Sequence, residues 1–273
     1  MNTLWAIYSF VVGACFGSFL NVCISRWPEG LSVVRPRSRC PKCERQIQAV
    51  ENIPLLSWLV LRGKCRGCAN PISFQYPLIE LVVGLLWLGT YLNFGLTFTT
   101  LRIAVLVTVL LGIAVTDAKH YLIPDGFTVF GLLWVFGTAL ASLFTGEVKP
   151  FAGAYEALIG ACAGAGAIAI AGWLGEAALK KEAMGFGDVT LMAVVGAAVG
   201  PNRAIITVFL AALLGAVFFI GIVYPISWLR ARRAEREFDP PLVPFGVFLA
   251  PAAVIALLWG DAMITTYLRY SGL

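Results

Sequence analysis

Long apolar runs separated by short polar stretches dominate the chain. They fall at about residues 4–23, 77–94, 101–116, 127–144, 152–174, 189–200, 204–229 and 245–267. An α-helix needs roughly 20 mostly apolar residues to cross a bilayer. The pattern therefore predicts eight membrane helices, with breaks marked by Pro28, Pro77, Pro124, Pro150, Pro201 and Pro244. The sixth run is short for a full crossing unless the residues around Gly185 to Asp188 also enter the membrane. The first run lacks a basic leader and a small-residue cleavage site, so it reads as a retained helix rather than a removed signal. One long polar stretch separates helices 1 and 2. The expected parts are a first transmembrane helix (1–23), a loop domain (24–76) and a seven-helix membrane core (77–273). The expected fold class is an all-α polytopic integral membrane protein.

Composition strengthens this reading. Hydrophobic residues make up 59% of the chain and charged residues 13%, with a mean hydropathy of +0.85. A soluble domain is about a quarter charged. The net charge of +5 follows topology rather than nucleic-acid binding. With 24–76 placed in the cytoplasm, eight spans leave both termini outside. Every Lys and Arg then lies on the cytoplasmic side except Arg102, Lys149, Arg203 and Arg269. The cytoplasmic set includes Lys119, Lys180, Lys181, Arg230, Arg232, Arg233 and Arg236. Basic loops favour the cytoplasm, and one helix more or fewer would scramble the asymmetry.

Small residues mark helix contacts. Ser9, Gly13, Gly17 and Asn21 recur at four-residue spacing in the first helix, and Gly and Ala crowd Gly160 to Gly172 in the fifth. Both patterns read as close helix packing before they read as a site. Cys15, Cys23 and Cys162 sit in or beside apolar runs and behave as small hydrophobes.

The polar stretch carries Cys40-Pro-Lys-Cys43 and Cys65-Arg-Gly-Cys68, with 21 residues between the pairs. Four thiolates in two such pairs match a tetrahedral structural zinc site. A disulfide reading needs an oxidising compartment, which the basic loop argues against. A closed four-thiolate site has no open position for water, so the metal would be structural. The small loop domain, beside a membrane, is expected to meet lipid headgroups or a membrane-borne partner rather than nucleic acid.

Two aspartates carry the candidate chemistry. Asp117 ends the third helix, and Asp188 opens the sixth behind Gly185-Phe186-Gly187. The topology places both at one depth on the cytoplasmic face. Two aspartates sharing a site can hold one proton between them, which is the chemistry of an aspartic protease. Alternatively, each caps a helix or pairs with Lys119 or Lys181. Asp125 competes with Asp117, but it follows Pro124 at a helix start and reads as the cap of that helix. His120, the single histidine, reads as solvated. Glu80 either pairs with a basic loop residue or lines the site.

At these residues the chain resembles the bacterial prepilin peptidases, or type IV leader peptidases. The resemblance includes Gly17-Ser18-Phe19-Leu20-Asn21-Val22 and Arg26-Trp27-Pro28, then the first cysteine knuckle. It continues through Asn52-Ile53-Pro54-Leu55-Leu56-Ser57-Trp58, Leu61-Arg62-Gly63-Lys64-Cys65 and Tyr76-Pro77-Leu78-Ile79-Glu80. Ile123-Pro124-Asp125 and Gly185-Phe186-Gly187-Asp188 complete it. The resemblance implies a catalytic pair of Asp117 and Asp188, with Gly185 and Gly187 supporting it. It implies cleavage of type IV prepilins and type II secretion pseudopilins in the inner membrane. It also implies methylation of the new N-terminus from S-adenosylmethionine, with Gly63 and Lys64 tied to the methyl donor. Many relatives carry an acidic residue where this chain has Lys119. The rival readings are a peptidase without methylation, a transporter and a non-enzymatic assembly scaffold.

Overall fold

Prolines and glycines end the helices that the apolar runs begin. The structure, a computed structural model, describes residues 2–180, 184–233 and 242–271. Lys181 and Arg236, both assigned above to basic loops, lie outside the described residues. The chain forms two compact units, Met1–Gly112 and Ile113–Leu273.

In the first unit, α1 (Asn2–Arg26) runs into a 3₁₀ turn (Trp27–Glu29) that contains Pro28. Gly30, at a φ of 68°, ends that turn. The polar stretch holds a second 3₁₀ turn (Ala49–Glu51) and the short α2 (Leu56–Val60). Helix α3 (Gln75–Phe94) then packs along α1. The small-residue stripe of α1 makes this contact. A Cβ on Gly13 would lie 2.6 Å from Trp87 Cβ, and one on Gly17 would lie 2.7 Å from Glu80 Cα. The stripe's polar members bind α3 directly: Ser9 Oγ donates to the Trp87 carbonyl at 3.0 Å and Asn21 Nδ2 to the Tyr76 carbonyl at 3.1 Å. Close backbone approach and interhelical hydrogen bonds substitute here for the hydrophobic drive that lipid removes.

Helix α4 (Phe98–His120) begins in the first unit and ends in the second. It outruns the expected 101–116 at both ends. The second unit continues with α5 (Asp125–Thr145), α6 (Ala154–Leu179) and α7 (Phe186–Val199). Helix α8 (Pro201–Phe218) passes through a π-helical turn (Phe219–Val223) into α9 (Tyr224–Arg233). Pro225 has no N–H to donate to Gly221, and the wider turn lies where that bond is missing. The last helix is α10 (Gly246–Ser271).

Among the described residues, seven helical stretches are long and apolar enough to cross a membrane, with α8 to α9 forming one stretch of 33 residues. The eighth apolar helix, α7, has only 14 residues. At about 1.5 Å per residue it rises about 21 Å, short of a hydrocarbon core about 30 Å thick. It is also the second unit's core helix, packed on α5, α6, α8 and α10. Leu191, Met192, Val194 and Val195 are all buried. Glycine lets α6 and α7 approach backbone to backbone: a Cβ on Gly196 would strike the Gly160 carbonyl, and one on Gly160 would strike that of Gly196. At the far end of α7, Arg203 Nε donates to the Val199 carbonyl at 2.7 Å and Nη1 to the Pro150 carbonyl at 2.6 Å.

Gly196→Val should therefore destabilise the second unit by about 2–3 kcal/mol, because backbone on both sides leaves nothing to move. Gly89→Ala, with open space around it, should leave the unfolding midpoint unchanged or slightly raised. Thermal unfolding of the purified protein in detergent measures both.

Candidate functional site

The structure places the four cysteines of the loop together. Their sulfurs lie within 4.8 Å of one another, and Cys40 Sγ and Cys68 Sγ are 3.8 Å apart. A tetrahedral ion with metal–sulfur bonds of about 2.3 Å requires sulfurs about 3.8 Å apart. The two knuckles are built alike. Cys40 N–H donates to the Arg45 carbonyl as Cys65 N–H does to that of Asn70. Glu44 and Ala69 close the turns at φ values of 55° and 56°. Bridges between Arg39 and Gln46 and between Lys64 and Pro71 tie the stems. Backbone N–H groups of Cys43 and Lys42 pull the Cys40 thiol down to about 6, whereas the Cys68 thiol, against the lowering pull of the Asn70 N–H, is pushed up to about 11 by burial and the neighbouring cysteines, so without a metal the four sulfurs share protons unequally. The donor set therefore fits a closed four-thiolate metal site.

Beside it, Glu51 accepts from Arg45 Nη2 at 2.9 Å and from Arg66 Nη1 at 3.4 Å. The Arg45 hydrogen bond holds the Glu51 carboxyl below the usual carboxylate range. This triad joins the two knuckles and was not anticipated from sequence. A Glu bracketed by arginines in a cysteine loop was the available signal. Glu80, left open above, is 8% exposed and accepts from the Leu55 N–H through Oε2 at 2.8 Å. It thus holds the loop at Leu55, a non-glycine residue at a φ of 63°.

Gly63 is buried, and Lys64 is exposed. Gly63 has a φ of 66°, and a Cβ there would lie 2.9 Å from the Trp58 ring. Its carbonyl accepts from the Ile72 N–H at 2.7 Å. Glycine is thus required at the stem of the second knuckle for both conformation and space.

The second unit holds both aspartates. Asp117 sits in the last turn of α4 and is 6% exposed. That helix end disfavours an acid, so Asp117 does not cap its own helix. Its Oδ2 is buried and has no hydrogen-bond partner. Asp188 sits in the first turn of α7, with Gly185 at the N-cap. The Asp188 N–H donates to the Gly185 carbonyl at 3.1 Å. The two carboxylates lie within electrostatic range of each other. Gly187 lets α7 pass Ile123, whose Cβ would be 2.9 Å from a Cβ at that position.

Sequence reasoning missed Gly246, the first residue of α10. A Cβ there would lie 2.7 Å from Asp117 Oδ2. The N–H groups of Gly246 and Val247 face the Asp117 carboxylate, so a helix N-terminus addresses it. A glycine just after Pro244 at a helix start was the signal. Asp125 is exposed in the first turn of α5, and His120 and Lys119 are exposed at the end of α4. The exposed His120 stands as the sequence led one to expect, whereas Asp125 does not cap: Pro124 holds the N-cap position with no side-chain bond, and Asp125 meets α5 only as a charge in its first turn.

Residues 11–94 match the bacterial peptidase A24 N-terminal domain, and residues 104–220 match the type IV leader peptidase family. The chain is 41% identical over 239 residues to the prepilin leader peptidase/N-methyltransferase of Myxococcus xanthus, spanning 87% of this chain and 69% of that protein. It is 36% identical over 292 residues to the protein of that name in Stutzerimonas stutzeri, spanning 98% and 96%. For the one in Aeromonas hydrophila, the identity is 37% over 290 residues, spanning 97% and 94%. No solved structure matches the chain.

The purified protein should carry about one thiolate-bound metal ion per chain. Cys43→Ser should lose most of it, whereas Cys15→Ser should retain it. Elemental analysis reads both, and full metal in Cys43→Ser would remove that residue from the ligand set.

Proposed function

The chain belongs to the type IV leader peptidase family, and from that membership we propose that it removes the leaders of type IV prepilins and type II secretion pseudopilins. We further propose that it methylates the N-terminus so released. One observation carries the peptidase reading: a buried Asp117 oxygen without a partner, within electrostatic range of Asp188. An ionisable group inside an apolar bundle is costly and marks function.

Asp117 and Asp188 act as the catalytic dyad. One ionised carboxylate takes a proton from water, while a protonated partner donates to the scissile carbonyl. Water attacks the carbonyl carbon, the C–N bond breaks, and the leaving amine takes up a proton. Gly185 and Gly187 set the bend and the close passage that bring Asp188 into place. Gly246 lets the start of α10 approach Asp117. The substrate is a membrane-borne helix with a basic leader, and its cut end is presented at the cytoplasmic face. That orientation rests on the basic loops of the sequence, and both termini lie outside only with α7 counted as the eighth crossing, made together with the residues around Gly185 to Asp188.

Zinc is the metal we assign to Cys40, Cys43, Cys65 and Cys68, because four thiolates in a closed tetrahedral set suit it. Its role is structural: a small loop domain gains its folding free energy from the metal. S-adenosylmethionine, when bound, would supply the methyl group: its S–CH3 bond would break as the new amine takes the methyl and gives up a proton, with S-adenosylhomocysteine as the leaving group. Gly63 and Lys64 are positioning residues for that reaction, with Gly63 fixing the Trp58 ring. The chain divides into a first membrane helix (1–23), a zinc-bearing domain (24–76) and a seven-helix membrane core (77–273) that carries both peptidase aspartates.

Co-expression with a prepilin bearing a Gly–Phe junction tests this reading. Intact mass should show loss of the leader and gain of one methyl group. Leader loss alone would remove methylation, and an uncut prepilin beside correctly inserted protein would remove the peptidase assignment. Asp117→Asn and Asp188→Asn should each lower cleavage by at least about 10³-fold. Gly246→Ala should lower it by about 10²-fold, by displacing Asp117 without removing it. Asp125→Asn should cleave as the parent does. Timed cleavage by inserted, quantified protein checks each.

A further inference from the structure

The first unit contains a cavity of about 450 Å³ that the peptidase reaction does not use. Its walls come from α1, α3 and the cysteine domain, and they include Asn21, Trp58, Tyr76 and Glu80. Cavities of about 300–1,000 Å³ are the usual size for nucleotide-sized and drug-sized ligands.

Asn21 points to a ligand. It is 3% exposed, and its amide nitrogen is spent on the Tyr76 carbonyl. Its Oδ1 is buried with no hydrogen-bond partner. A buried acceptor left unmade is expensive, and it persists where something else completes it. Glu80 lines the same space, with its Oε2 accepting from the Leu55 N–H. Trp58 adds an aromatic surface and Arg26 and Arg39 add cationic groups. Gly63 and Lys64 are not among its lining residues, although Gly63 packs on the Trp58 ring.

We propose that this cavity is the S-adenosylmethionine site, with Asn21 Oδ1 and the Glu80 carboxylate accepting hydrogen bonds from the donor's hydroxyl or ammonium groups. The chemistry matches on each count. A sulfonium nucleoside brings a donor for the buried Asn21 acceptor, positive charge for a carboxylate, a flat base for an indole and a carboxylate for arginines. The assignment rests on the methyltransferase reading above, and it moves donor recognition from the Gly63–Lys64 turn to the junction of α1 and α3.

Equilibrium binding of tritiated S-adenosylmethionine to the full chain in nanodiscs, without prepilin, tests it. Asn21→Leu and Glu80→Gln should each bind about tenfold more weakly. Metal content equal to the parent's shows that the domain is intact. Parental affinity in both variants would overturn the site while leaving methylation standing. No binding by the parent, together with unmethylated product, would overturn the methyltransferase reading itself. Should Asn21→Leu lose its metal, ultraviolet cross-linking of the donor to the parent decides. Label on peptides containing Trp58 or Tyr76 supports the site. Label confined to 113–273, or none because lipid or the pilin N-terminus fills the cavity, overturns it.

Discussion

A carboxylate oxygen buried among apolar helices and left without a partner demands support from everything around it. Asp117 Oδ2 is in that position. The cost of desolvation is several kcal/mol for an ionised group unless dipoles replace the lost water. The second unit supplies such dipoles through the start of α10, whose first N–H groups face Asp117. That approach requires glycine at 246, since any Cβ would meet the oxygen. It also requires the turn after α4, with Tyr121 at a φ of 53° and Pro124 leading into α5. Ile123, in the same turn, packs against Gly187, so one short segment sets the passage for both aspartate-bearing helices.

Glycine is the second constraint, and it acts through sterics more than through flexibility. In water, burial of large side chains would hold these helices together. In lipid that drive is absent, and contact area must come from backbone proximity. The α1–α3 pair through Gly13 and Gly17, and the α6–α7 pair through Gly160 and Gly196, use the same device. The consequence for the site is rigidity. Helix α7 is too short to be held by its own length in the bilayer. Being locked to α6, it can present Asp188 at a fixed height.

Much of this was legible in the sequence, for identifiable reasons. Apolar runs mark helices because no other element can satisfy its backbone in lipid while exposing a continuous surface. The C-x-x-C pairs announced their cluster because tetrahedral ligation tolerates few spacings. The stripe from Ser9 to Asn21 packs on α3 as expected. Yet Asn21 also carries an unfilled acceptor, a second role that spacing along one helix does not encode. The unread features are contacts between residues far apart in the chain. Leu55 with Glu80 and Asp117 with Gly246 depend on where loops return, and hydropathy carries no record of that. The extension of α4 to His120 was missed because charged residues in its last turn break the apolar pattern without breaking the helix.

The two proposed chemistries also follow an order. Methylation needs a free amine, and that amine exists only after hydrolysis. The groups assigned to hydrolysis, Asp117 and Asp188, belong to the second unit, whereas Asn21, Glu80 and the cysteine domain belong to the first. None of the residues assigned above is shared between the two reactions. Electrostatics favours this division. Hydrolysis calls for a carboxylate pair sharing a proton, and a sulfonium donor bound next to that pair would bias it towards full ionisation. The donor's cavity instead has its own carboxylate, Glu80, already anchored by the Leu55 N–H. Glu80, rather than the aspartate pair, then balances the positive charge of the donor. The product of one reaction can then become the substrate of the other without either site being retuned.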